Sequence, residues 1–249
     1  MYYLSGRFYM KIISIALFSL MIVISGCSSE NENSSEAANT PVKPVEKALT
    51  PRNISPAELL DWQFYGDGEV RIAEFAEAVF MHESDDSQGV TLVSPDIYGD
   101  NVVVKYQVKP MTYESVCVFI MSASDKNTGG DYSVPDDYNG NFAFWTQQDI
   151  QNYAFAFHNG AHDRKPFVIR NPGMNVLYES DRHFSREVWH DIEIGRNGNT
   201  LWLNIDGESV INVTDANTVQ LPGGRIAFRL RGTPGNPGAI QLKNVIIEK

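Results

Sequence analysis

The chain has 249 residues and carries 20 Lys and Arg against 31 Asp and Glu, a formal net charge of -11. A pI near 4.9 excludes nucleic acid as a partner, because neutralising phosphates needs a basic face, and two cysteines exclude a disulfide framework. Hydrophobic residues at 43% with 19 Gly and 12 Pro point to a globular protein of short strands and frequent turns.

The first element is an address. Arg7 and Lys11 precede an apolar run over 12–24, and Ile24-Ser25-Gly26-Cys27 follows. A short basic region, an apolar stretch and small residues make a secretory signal, and the run is too short to span a bilayer comfortably. Its end resembles the lipobox of bacterial lipoproteins. That resemblance implies a lipidated Cys27 as the new N-terminus, a palmitoyl-type membrane anchor and the cell envelope as destination. Ser28 stands where an inner-membrane lipoprotein often has Asp, which points to the outer membrane. Met10-Lys11 offers a second conventional start. Without residues 1–26, which hold two basic and no acidic side chains, the balance is 18 against 31, a net of -13. Residues 27–52 contain no aromatic side chain and are rich in Ser, Glu, Asn and Pro, so they read as a flexible tether.

Residues 53–249 read as one all-β domain. Pro56 to Trp62 holds the only helix start, and it is short. Residues 101–108 are β-branched and end near Pro110. The run 116–121 is continuously apolar, as in a strand covered on both faces, and makes Cys117 a small core residue rather than a nucleophile. Over 152–158, Tyr153, Phe155 and Phe157 share one face; Asn152, Ala154, Ala156 and His158 share the other. Residues 189–194 and 201–205 flank the hairpin signal Arg196-Asn197-Gly198-Asn199, and Asp206-Gly207 makes a second tight turn. Ile226, Phe228 and Leu230 alternate with Arg225, Ala227, Arg229 and Arg231, and 239–248 supplies the last strand. Strands at this spacing predict a jelly-roll sandwich of two antiparallel sheets.

Chemistry concentrates between Phe144 and Gly173, where His158 and His162 stand among amides and arginines. The alanine face beside His158 leaves room either for a ligand across the sheet or for packing from another part of the chain. The arginines of 225–231 suit a carboxylate or sulfate ligand, or equally the protein's own acidic residues. His158 and His162 lack a third ligand at metal spacing, so no metal site is expected there. No cofactor is expected; a structural calcium in the Asp-rich stretch 125–137 is the one alternative left open, without the spacing of a calcium hand. A serine elbow, a phosphate loop and the paired carboxylates of glycoside hydrolysis are all missing from the sequence.

These stretches resemble the YesU-like family of the concanavalin A-like lectin and glucanase superfamily. The resemblance rests on 144–153, Arg170-Asn171-Pro172-Gly173, Trp189-His190-Asp191-Ile192, Ile205-Asp206-Gly207 and 221–229, and covers most of 60–248. It implies a concanavalin A-like β-jelly roll and a part in polysaccharide breakdown, with acidic oligosaccharides or polysaccharides such as pectin and ulvan as partners. Read that way, the chain is expected to be a lyase or dehydratase working by β-elimination. Arg170, Asn171 and Arg229 would neutralise the uronate carboxylate, His158 or His162 would be the base, and Tyr153 or Tyr138 the acid. Trp145, Gln147, Asn152, Arg164 and Arg231 complete the expected binding surface. The alternative is a lipoprotein that binds glycans without acting on them.

Overall fold

The computed structural model describes residues 49–160 and 163–249. Strands form where branched and aromatic residues alternate with polar ones, and turns fall where a residue tolerates positive φ. In chain order the elements are β1 (Pro51–Ile54), α1 (Pro56–Leu60), β2 (Gln63–Tyr65), β3 (Gly68–Ala73), β4 (Ala78–Glu83), β5 (Val90–Val93), β6 (Asn101–Pro110) and β7 (Val116–Asp125). They continue with α2 (Ala143–Thr146), β8 (Ile150–Phe157), β9 (Phe167–Asn171), β10 (Asn175–Glu179), β11 (His190–Asn197), β12 (Thr200–Ile205), β13 (Glu208–Thr214), β14 (Arg225–Arg231) and β15 (Ala239–Glu248). The first strand begins at Pro51, inside the stretch expected to be tether. The expected signal segment 1–26, Cys27 and most of the expected tether lie outside the described residues, as does His162.

Helix α1 starts because Ser55 and Glu58 form a reciprocal capping box and Pro56 occupies the first turn; Asp61 caps its end. The hairpin β11–β12 closes through Gly198 and Asn199, with Asn197 opposite Thr200. The next turn has positive φ at both Asp206 and Gly207, the arrangement that matches strand twist.

Two antiparallel sheets result. The eight-stranded sheet runs β13-β12-β11-β6-β15-β4-β3, with β1 also paired to β15; the seven-stranded sheet runs β10-β9-β8-β7-β14-β5-β2. This is the expected jelly roll. Between the sheets lies the main core, to which Tyr153, Phe155, Phe157, Ile226, Phe228 and Leu230 all turn, as their alternation predicts. Phe228 meets Phe119 at 5.4 Å, Tyr106 at 5.0 Å and Trp62 at 5.8 Å between ring centres. Cys117 is buried in the same core, and burial pushes its thiol up to about 12, so it stays an un-ionised apolar side chain.

Candidate functional site

The outward face of the seven-stranded sheet is the one the sequence marks for a ligand. Strand register sets two rows across it. One runs Val176, Ile169, Ala154, Ile120, Ala227, Val93; the next runs Phe167, Ala156, Val118, Arg229, Thr91, Tyr65. The room above the alanines is filled by the protein itself. The connection 126–149 folds back over the sheet and sets Trp145 into a second apolar cluster with Val93, Ile120, Ala154 and Ala227. Tyr132 and Phe144 meet the indole edge-on at 5.7 and 5.1 Å.

Polar bonds lock this cover in place. Trp145 Nε1 donates to the Tyr138 hydroxyl at 2.9 Å, and Asn152 Nδ2 donates to the Trp145 carbonyl at 2.8 Å. Asn171 Nδ2 donates to Asn152 Oδ1 at 2.8 Å, and the Gly173 amide donates to the Thr146 carbonyl. Trp145, Asn152 and Asn171 are therefore all buried structural residues, which corrects their expected place on a sugar-binding surface. Only Gln147, at the end of α2, remains exposed as anticipated.

The arginines are likewise committed. Arg225 forks onto Asp131 at 2.7 and 2.6 Å. Arg231 binds Glu83 at 3.1 Å and the Ser87 carbonyl at 2.8 Å, while Glu83 also accepts the Gly232 and Gly238 amides. Arg170 pairs with Asp215 and donates to the Val219 carbonyl. Arg229 is 3% exposed and donates to the carbonyls of Gln88 and Gly140, both at 2.9 Å, over the Phe142 ring. Burial pushes its pKa down. Gly89 and Gly140 cross so closely there, both at positive φ, that a Cβ on either would collide with the other's backbone. Arg170, Arg229 and Arg231 thus serve the fold; their expected role as anion ligands gives way to partners that lie far along the chain. Asp125 and Asp131 of the stretch considered for calcium are also occupied, by the Asn127 and Thr128 amides and by Arg225.

Tyr153 stays on the inner face, as strand parity requires, and donates to Asp215 at 2.8 Å. Burial first, then Asp215, pushes its hydroxyl up to about 12. At Asp215 burial opposes ionisation, but the Asn217 amide, Tyr153 and Arg170 together hold the carboxyl below the usual carboxylate range. Tyr153 belongs to this inter-sheet network, so the expected acid does not face the same side as His158's neighbours.

His158 leaves the strand at φ 56 and is fully buried. Its Nδ1 lies 2.5 Å from the Ser115 carbonyl, which can only accept, so Nδ1 carries the proton and Nε2 presents a lone pair. Among the described residues that Nε2 has no partner. Burial foremost lowers its pKa, against the Ser115 hydrogen bond, which raises it, and the charges of Arg164, His190 and Arg186 add to the lowering. Nearby, the Arg164 and Arg186 guanidinium groups lie 4.0 and 5.5 Å from the ring centre of Tyr113, which is 50% exposed. Arg164 and Arg229 are the expected binding arginines without a carboxylate partner among the described residues, and Arg229 is instead buried against the Gln88 and Gly140 carbonyls.

The sequence reading missed the other sheet. On the outer face of the eight-stranded sheet a groove of about 550 Å³ is lined by Lys105, Gln107, Asp191, Glu193, Asn204 and Asn244 among others. The signal was present: Asp191 and Glu193 alternate with Ile192 and Ile194, and Trp202 and Asn204 with Leu201 and Leu203.

No family model and no curated protein matches the sequence. Solved structures do match the fold. A protein of unknown function with a galectin-like fold from Bacillus subtilis superposes with a TM-score of 0.69 at 14% identity, covering 82% of this chain and 96% of that one. The cellulose-induced protein Cip1 gives 0.54 at 8% identity over 75% and 90%, and a glycosidic hydrolase 0.53 at 12% over 83% and 98%. At such identities the likeness establishes a galectin-like jelly-roll fold and nothing further.

Proposed function

We propose that this protein is a carbohydrate-binding lipoprotein of the cell envelope that engages uronate-containing glycans at the Tyr113–Arg164 corner. One observation carries the reading. Arg164 lies against an exposed tyrosine ring, with no hydrogen-bond acceptor for its guanidinium among the described residues, whereas Arg170, Arg229 and Arg231 are bonded within the fold. An aromatic ring beside a free guanidinium supplies both a stacking surface and a fork for a carboxylate. The fold, similar to that of a glycosidic hydrolase and of a cellulose-induced protein, supports the carbohydrate class by analogy alone. The resemblance to the YesU-like family points the same way. In this reading Cys27 bears the lipid that anchors the protein to the outer membrane.

A second reading, β-elimination on the same glycans, is favoured by His158 Nε2, which has no partner among the described residues and carries the lone pair a general base needs. It requires that a fully buried nitrogen open to the saccharide, whereas binding requires no such step. Calorimetric titration of the full chain with oligogalacturonate and ulvan oligosaccharides, with ultraviolet absorbance followed for an unsaturated uronate, separates the two. Saturable heat without a rise in absorbance supports binding, and a rise lost in His158→Gln supports elimination. Silence on both counts removes both. Cys27→Ser is expected to move the protein from the membrane to the soluble fraction.

A further inference from the structure

We infer that the outer face of the eight-stranded sheet is a second saccharide site, built for an uncharged, hydroxyl-rich glycan chain. The platform begins at Gly195. Trp202 stands opposite it in register, and the six-membered ring of its indole fills the space that any Cβ on Gly195 would occupy. The indole is pinned a second time by Nε1 donating to Glu193 Oε1 at 3.0 Å. Asn204 Nδ2 donates to the same oxygen at 2.9 Å. An aromatic ring fixed on the sheet surface by both contacts is a stacking surface whose orientation is settled before any ligand arrives, which lowers the entropic cost of binding.

The strand grid extends the platform. Glu193 faces Lys105, and Asp191 faces Gln107, which in turn faces Lys243. Gln107 Nε2 donates to Asp191 at 2.7 Å, and Asn244 Nδ2 donates to Gln107 Oε1 at 2.9 Å. Trp189, just ahead of β11, lies six positions before Gly195, about 20 Å along an extended chain. At that far end Lys243 Nζ sits 4.2 Å from the Trp189 ring. Two indoles therefore bracket a floor of fixed amides and carboxylates, the donor and acceptor mix that sugar hydroxyls match.

Charge selects the ligand class. Lys105 is held by Glu248 at 2.8 Å and by Glu193 at 3.8 Å, and Lys243 is engaged with Trp189. The carboxylates Asp191, Glu193 and Glu248 outnumber these two ammonium groups, on a protein that is acidic throughout. Among the described residues no guanidinium lines the groove. A polyuronate would meet like charge here, whereas a neutral chain would not.

The probes are cellohexaose, xylohexaose and mannohexaose, with hexagalacturonate as the anionic control, titrated into the full chain by calorimetry and tryptophan fluorescence. At least one neutral probe is expected to bind and to shift the emission. Trp202→Ala is expected to weaken that binding by about tenfold or more. Asn204→Ala, a change on the sheet surface, should weaken it with the fold intact, and Arg164→Ala should leave it unchanged, which keeps this site separate from the Tyr113 corner. The inference is overturned if no neutral probe binds. It is equally overturned if Trp202→Ala binds as well as the parent, if hexagalacturonate competes for the same face, or if Trp202→Ala instead dissociates a dimer in sedimentation.

Discussion

The two outward sheet faces of this sandwich are built on opposite plans. That of the seven-stranded sheet is paved with small and branched apolar residues, and the chain covers it with its own 126–149 segment, Trp145 foremost. That of the eight-stranded sheet carries bonded amides, carboxylates and two indoles, and stays open. The contrast teaches that room left by small side chains is not a binding site in itself. An apolar hollow is filled by whatever apolar group the chain can bring to it, because burying such a group is favourable on its own account. A polar ladder gains little from such cover and remains available to a ligand that brings hydroxyls.

The contrast can be broken most forcefully at Trp145. Trp145→Ala removes the largest side chain of the cover and should cost about 4 kcal/mol in urea unfolding, with faster hydrogen exchange over 126–149. A loss under about 1 kcal/mol would mean that the cover is not packed as described. Next comes the Asp215 network, which ties the sheet ends together. Asp215→Asn strips Arg170 of its counter-charge and should cost about 3 kcal/mol. Because its folded pKa is depressed, Asp215 contributes fully above its ordinary value of 3.8, and the contribution is lost as pH falls below that. Stability of the parent and of Asp215→Asn should therefore converge at acid pH.

A smaller effect attends His158. Its depressed pKa means that the unfolded chain takes up the proton first, so the parent should lose stability as pH falls below 6.5, and His158→Gln should flatten that slope. Thermal melts at a series of pH values read this directly, and parallel curves would show that the ring is not buried neutral. Smallest of all in stability is Arg164→Ala, a surface change expected to stay within about 0.5 kcal/mol while abolishing uronate binding.

Much of the fold was legible because it follows from local periodicity. The inward turn of Tyr153, Phe155 and Phe157, the outward arginines of 225–231 and both glycine turns near residues 198 and 207 all follow from alternation and turn chemistry. The candidate site was far less legible. Whether Arg231 meets a ligand or Glu83 depends on residues 148 positions apart, and Arg225 finds Asp131 across 94. No spacing rule connects such pairs. Trp145 and its aromatic neighbours read equally well as a sugar platform or as a core, and only the return of the 126–149 segment decides. Trp202 was open to the same reasoning, but its meaning depends on Gly195 lying beneath it, a cross-strand fact.

The central claim is that an acidic glycan is bound, and not cleaved, at the Tyr113–Arg164 corner. Calorimetric titration of oligogalacturonate into the parent and Arg164→Ala proteins, with absorbance of the same cell followed, tests it most directly. Saturable heat in the parent, its loss in Arg164→Ala and a flat absorbance trace are the predicted result. Undiminished heat in Arg164→Ala, no heat in either protein, or a rising unsaturated-uronate signal would contradict it.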